Sequence, residues 1–320
     1  MLEKLIVPFS PHIRGSSATS SIMRDVVIAL IPSFITAILI FGPRAAIVTV
    51  VCVTACVMFE AAFQILTKKP VTVSDFTAII TGMLIAFSLP VTIPIWQAVF
   101  GCFVAIIVVK QLFGGLGKNF ANPAITARVV MFLAFSGTMT LWHLPATTPS
   151  WALLADAVTG PTPLIHLSGG EIQRLPSMFN MFVGIRAGSL GETSAIALLI
   201  GGIYLLVRRV INWHIPVSFI ATVALVAFLA GGFSLEFVLF HTLAGGLLLA
   251  AVFMATDYVT SPATNKGRIV FGIGCGLLTV IIRLFGNFPE GVSFAILFMN
   301  ALVPFINKFT LTKPLGEGNL

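Results

Sequence analysis

Between residues 188 and 195 the chain reads Gly188-Ser189-Leu190-Gly191-Glu192-Thr193-Ser194-Ala195, just ahead of an apolar run. Gly191 permits close approach of the backbone to another group. Glu192 adds a carboxylate, and Thr193 and Ser194 place two hydroxyls where the apolar run predicts a helix to begin. A helix start offers free backbone N–H groups and the positive end of the helix dipole, which together favour an anion such as a phosphate. The same residue types also make an ordinary Thr/Ser cap, which is the commoner use of such a sequence.

Other candidate groups carry less. Gly114-Gly115-Leu116-Gly117-Lys118-Asn119 has the glycines and lysine of a phosphate-binding loop, but Asn119 stands where Ser or Thr must hold magnesium. ATP binding is excluded on that ground, leaving a Gly-rich turn before Asn122-Pro123 able to cradle a cofactor phosphate or meet a partner. Cys52, Cys56, Cys102 and Cys275 all fall in apolar runs and form no CxxC pair, which argues against a disulfide framework or an iron–sulfur site held by this chain alone. Cys52 and Cys56 share a helix face, where buried small side chains are the expected role and metal binding the rarer one. Glu60 is expected near a membrane interface. Asp75 and Asp257 are expected at helix ends in structural roles, and His214 and His241 as hydrogen-bonded interior histidines.

These residues sit in a chain of 320 residues that is 58% hydrophobic and only 9% charged. A soluble domain carries about a quarter charged residues, so the bilayer is the expected solvent. No cleavable signal peptide is expected, because the first apolar run begins only near Ile22. The net charge of +7 punctuates apolar runs and does not cluster, which argues against nucleic acid as a partner and for membrane lipid. Ten apolar segments are predicted, near 22–40, 44–66, 76–90, 95–112, 123–137, 193–208, 214–232, 236–255, 268–285 and 291–308. Two of them, 76–90 and 123–137, rise about 21 Å as helices against a hydrocarbon core of roughly 30 Å, so they need not cross fully. A cytoplasmic N-terminus puts fourteen Lys and Arg residues inside and four outside, Arg44, Arg174, Arg186 and Arg283. The C-terminus is then cytoplasmic and the long 138–192 connection lies outside, its tryptophans either functional or seated at the membrane interface.

Five segments on either side of that loop predict two oppositely oriented halves, 1–137 and 193–320. Short matches recur in the same order. Asp75-Phe76 pairs with Glu236-Phe237, and Val91-Thr92-Ile93-Pro94 with Val259-Thr260-Ser261-Pro262. Gly117-Lys118-Asn119-Phe120 pairs with Gly286-Asn287-Phe288-Pro289. Inverted repeats of this kind build central sites from broken helices, which the Pro-interrupted ends and Gly245-Gly246 would supply. The fold class is therefore all-α integral membrane, about ten transmembrane helices in two inverted five-helix repeats. Fold alone leaves two functions open, an electron-carrying subunit or a channel for a small neutral solute.

Taken together, several stretches resemble the D-subunit family of the Rnf-type (Rsx) membrane electron-transport complexes and, more distantly, the B-subunit family of the sodium-pumping NADH:quinone oxidoreductase. They are Ser10-Pro11-His12-Ile13-Arg14, Gly114 to Asn119 with Asn122-Pro123-Ala124, and the Gly-Ser-Leu-Gly-Glu-Thr-Ser stretch. Phe253-Met254-Ala255-Thr256-Asp257 and Asn287-Phe288-Pro289-Glu290-Gly291 complete the set, and the likeness spans nearly the whole chain. The resemblance implies a urea-channel-like fold in a bacterial inner membrane. It implies FMN esterified through its phosphate to Thr193 on the outer side by a flavin transferase that uses FAD, with Gly191, Glu192 and Ser194 around it. Many flavinylated proteins carry Ser-Gly-Ala-Thr at the site, where this chain has Leu-Gly-Glu-Thr. The resemblance further implies a second, non-covalent flavin such as riboflavin, and iron–sulfur and flavin subunits as partners in an ion-translocating ferredoxin:NAD oxidoreductase. In that role the chain is one component of an enzyme.

Overall fold

The computed structural model describes residues 19–143, 160–168, 175–192, 194–286 and 291–310, and every regular element among them is helical. Helices α1 (Thr19–Phe41), α2 (Pro43–Leu66), α3 (Thr77–Phe87), α4 (Ile95–Phe103, running on to Gln111 as a π-helix) and α5 (Pro123–Ala134) form the first part. Three short helices follow, α6 (Ser136–Met139), α7 (Pro163–Ser168) and α8 (Met178–Val183). The second part holds α9 (Ala195–Val207), α10 (His214–Ala230), α11 (Leu235–Leu243), α12 (Leu247–Leu249, continuing as a π-helix to Met254), α13 (Asn265–Phe285) and α14 (Val292–Thr310). A helix stands in each of the ten apolar segments read from the sequence.

Four of these helices, α1, α2, α13 and α14, are long and apolar enough to cross a membrane; the bent pair α11–α12 makes a fifth if counted as one span. The chain is thus an all-helical protein with several membrane-spanning helices. The other helices are shorter for local reasons. Thr77 N–H and Oγ1 both donate to Asp75 Oδ1, at 2.9 and 2.6 Å, which starts α3 sharply. Asp75 therefore has the structural role the sequence assigns it. Pro90 and Pro94 then interrupt the run, and Arg44 donates to the carbonyl of Val91 at 3.0 Å to satisfy the opened backbone. In α11–α12 the break falls at Gly245 and Gly246, both in the left-handed region, and the axis turns by 63°.

Packing in lipid depends on close approach of backbones more than on apolar burial. At the α1–α9 crossing a Cβ on Gly201 would run into the Ala29 carbonyl. Further along the same helix pair, Arg208 Nη2 lies 3.1 Å from the buried Asp25 carboxylate, and Tyr204 donates to it at 3.1 Å. Gly272 and Gly276 on α13 approach α10 so closely that a Cβ would meet Ser218 and Thr222.

Candidate functional site

Thr193 lies outside the described residues, but the residues on both sides of it are placed. Ser194 is the N-cap of α9, its hydroxyl accepting from Ala197 N–H at 3.4 Å, so the helix begins where the sequence puts it. Gly191, Glu192 and Ser194 are all buried, Glu192 and Ser194 at 4% exposure. The expected outer loop is therefore no open turn. Its segment from 189 to 192 is sunk between elements of the first and second parts of the chain.

The first part holds it by backbone and charge. Leu190 N–H donates to the Leu89 carbonyl at 3.0 Å and Gly191 N–H to the Phe87 carbonyl at 2.9 Å, along the end of α3. The space a Gly191 Cβ would need is filled by the Phe87 ring, so only glycine fits there. Arg128 on α5 pairs with the Glu192 carboxylate. The sequence counts Arg128, within the segment 123–137, among the cytoplasmic charges; it is buried, and it serves as the partner of Glu192. A guanidinium inside an apolar helix needs a carboxylate or carbonyls within reach, and this one reaches across the chain to find it.

The second part completes the clamp. Arg186 Nη2 donates to the Glu192 carbonyl at 2.8 Å and to the Leu243 carbonyl of α11 at 2.7 Å. Arg283, near the end of α13, donates to the carbonyls of Ala244 at 3.1 Å and Gly245 at 3.0 Å, in the broken helix. Gly246 has φ of 62°, and a Cβ there would enter the Glu192 carboxylate. Arg186 and Arg283, legible in the sequence only as outer charges, are thus buried donors to backbone that the α11–α12 break leaves open. A charged residue within an apolar run was the available signal for Arg128 and Arg283; Arg186, in the 138–192 connection, had none. Ser189 Oγ, buried beside this segment, has no hydrogen-bond partner.

A second site lies at the other end of the molecule. A cavity of about 110 Å³ opens between α1, α3, α5, α9 and the stretch after α12, with Ile80, Leu84, Val252 and Phe253 as apolar walls and Asn119, Asn122, Lys110 and Asp257 as polar ones. The Gly-rich turn thus borders a cavity. Lys110 Nζ is 2.8 Å from Glu60 and donates to Thr77 Oγ1 at 2.7 Å; Gln111 donates to Glu60 at 2.9 Å. Glu60 is 1% exposed and packed within the protein. Its partner, Lys110, is on another helix. Asp257 lies after the helical run; burial pushes its carboxyl above the ordinary range, and hydrogen bonds from Thr260 and Val259 act against that.

Trp142 is buried too and lines a recess with Arg128 and Phe132. Trp151 and the motifs at residues 10–14 and 287–290 lie outside the described residues. All four cysteines are free and buried, and no group of three or more His, Cys, Asp or Glu residues among the described residues is arranged to hold a metal. His241 differs from its expected state: it is buried, and neither ring nitrogen has a hydrogen-bond partner.

The sequence model of the NQR2, RnfD, RnfE family matches residues 6–316. The chain is 45% identical to the D-subunit of the Na(+)-translocating ferredoxin:NAD(+) oxidoreductase complex of Acetobacterium woodii, over 98% of its own length and 95% of the relative's. It is 41% identical to the D-subunit of the proton-translocating ferredoxin:NAD(+) oxidoreductase complex of Clostridium ljungdahlii, covering 94% and 93% of the two chains. It is 35% identical to the D-subunit of the ion-translocating oxidoreductase complex of Citrobacter koseri, covering 96% and 98%.

Proposed function

The chain belongs to the NQR2, RnfD, RnfE family, and from that premise we propose that it is the membrane D-subunit of an ion-translocating ferredoxin:NAD oxidoreductase, carrying FMN on Thr193. The observation that carries the FMN reading is the clamp on both sides of Thr193: residues 190–192 tied to α3, α5 and α11, and Ser194 to α9. A redox carrier needs a fixed position, and an ordinary helix cap needs no such anchoring.

The residues present fit the group. A phosphodiester keeps one negative charge, and the start of α9 with Arg186 and Arg128 nearby favours it. Ser189 Oγ, four residues before Thr193 in sequence, is a spare polar atom. When bound, FMN supplies the electron-accepting and electron-donating ring. The chain's own residues orient and hold. Glu192 is fixed by Arg128, Arg186 fixes the peptide that leads into Thr193, and Phe87 walls one side. A second, non-covalent flavin such as riboflavin belongs to the same reading, with no residues assigned to it. Iron–sulfur and flavin subunits of the complex are the electron partners, and a flavin transferase is the maturation partner.

The same reading takes the fold as ten spans in two inverted halves. Equivalent pairs support it: α2 packs on α3 and α4 as α10 packs on α11 and α13, and α1 meets α9 as α5 meets α14. Lys110 reaches the start of α3 and Arg283 the turn into α12, and Leu-Phe-Gly comes one residue after Lys110, at 112–114, and directly after Arg283, at 284–286. Lys110, Arg128, Arg186 and Arg283 are buried and are not loop charges; without them the Lys and Arg bias is twelve to two, again with both termini cytoplasmic. Thr193 then faces the outer side of a bacterial inner membrane. Relatives at 45% and 41% identity are named for sodium and for protons, so overall likeness does not select the ion.

Mass spectrometry of denatured protein from cells containing the transferase tests the reading. The expected result is FMN less one water on the Thr193 peptide, absent in Thr193→Val, with free flavin released on denaturation. An unmodified Thr193 beside an active transferase overturns it, and solute flux in liposomes then tests the channel alternative.

A further inference from the structure

The turn that follows α3 is held from two directions. Pro90 and Pro94 open its backbone, and Arg44, at the start of α2, donates to the Val91 carbonyl at 3.0 Å and the Ile93 carbonyl at 3.4 Å. Residues 136–143, which are α6 and a short strap after it, tie to the same turn and the helix start beyond it. Thr138 Oγ1 donates to Gln97 Oε1 at 2.7 Å, and His143 Nδ1 lies 3.2 Å from Thr92 Oγ1. The strap also walls the recess that its Met139 and Trp142 share with Arg128 and Phe132. Of the four residues in these two bonds, only His143 titrates near neutral pH.

A charge on His143 is unwelcome where it stands. The residue is buried, with 9% of its surface left as a path for protons. Burial and the Arg44 guanidinium both push its pKa below the ordinary 6.5, while a bond from the ring to the Leu141 carbonyl acts the other way. Arg44 is the charged group that faces it from α2. The 90–94 turn and the strap carry none, and Arg128, across the recess, is committed to Glu192. A neutral imidazole can accept from the Thr92 hydroxyl; an imidazolium has no lone pair left to do so.

We propose that the 136–143 strap is a proton-operated brace: it latches onto the turn after α3 while His143 is neutral, and protonation of His143 frees that end, with Thr138 as the pivot. A freed ring titrates near 6.5 and a latched ring lower, so the latch is favoured above about pH 6.5 and is lost as pH falls through the lowered value. Opening uncovers the recess beside Arg128. The turn it leaves is continuous with Leu89, whose carbonyl holds Leu190 in the clamp. Acid on this face thereby loosens one jaw. In the orientation proposed above this face is the outer one, but the latch itself does not depend on that orientation.

Hydrogen exchange on the full-length chain in detergent micelles tests the brace, because both faces then meet the same pH. Rates are corrected for the intrinsic pH dependence of amide exchange. Between about pH 7.5 and about pH 4.5, protection of the 139–143 amides is expected to fall about fivefold, the usual worth of one hydrogen bond, while α10 and α13 keep theirs. His143→Gln is expected to show no such step, and His143→Asn serves if the glutamine variant does not fold. Deuteration of the imidazole C2 position, read by mass, follows the titration of His143 itself, with a midpoint below 6.5 that coincides with the step. Protection of the strap that does not change with pH, a step that persists without His143, or a simultaneous loss in α10 and α13 overturns the proposal.

Discussion

Lys110 reaches Glu60 across 50 residues of sequence and Thr77 across 33, and all three are buried. Removing one partner leaves the other charge in a dry interior, whereas replacing both removes the problem. Lys110→Met should cost about 3–5 kcal/mol, and Glu60→Leu with Lys110→Met should recover most of it. A melt followed with a thiol-reactive dye measures this, since all four cysteines are buried until the fold opens. A double variant as weak as the single one would mean the ion pair is not what is lost. Asp257 gives a pH dependence. Its folded carboxyl titrates above the unfolded value of about 3.9, so its contribution to stability is full below that pH and is lost as pH rises through the raised value. Thr260→Val removes a hydrogen bond that favours the carboxylate and should move that loss to higher pH, which an infrared titration of the carboxyl band would show. Residue types at these places are plain in the sequence, and Ser194 is legible there as a helix start. Partners across tens of residues are not, because they follow from which helices touch; hence sequence reasoning pairs neither Glu60 with Lys110 nor Arg128 with Glu192.

At the scale of elements, the break in α11–α12 is where local rules are most visible. Gly245 and Gly246 mark it in sequence, and the structure turns the axis there. Gly246→Ala places a Cβ in the left-handed region, at about 1–3 kcal/mol, and also presses on Glu192. The expected outcome is a lower melting temperature and reduced FMN occupancy, whereas Gly232→Ala, with the same backbone conformation and open space, should lower the melt and leave occupancy intact. Equal occupancy in both variants would detach Gly246 from the clamp. The apolar run at 76–90 predicts a helix that continues to Pro90, while α3 stops at Phe87 because Pro90 and Pro94 deny the backbone its donors. The π-helical turns in α4 and after α12 have no legible signal: a π-turn changes which carbonyl each N–H meets without changing which residues are apolar.

For the whole molecule, orientation is the property that charge predicts and helix length does not. Green fluorescent protein fused to either terminus should fluoresce, and alkaline phosphatase inserted in the 144–159 stretch should be active. An active phosphatase at the C-terminus would require an odd number of crossings and remove the inverted halves. Apolar periodicity and the Gly-rich pair make the helices legible. The meeting of α1 with α9 and the descent of the 189–192 segment to α3 are not, because both arise from the closing of one half on the other.

The clamp around Thr193 also has a history written into its order along the chain. Phe87, Leu89 and Arg128 are translated before the segment they hold, whereas Leu243 and Arg283 are translated after it. During biogenesis the 189–192 segment therefore emerges from the ribosome with one jaw already inserted and the other still unmade. A nascent chain at that stage carries the 189–192 segment before α11 and α13 arrive, and on the reading proposed above that interval is when a flavin transferase would meet Thr193.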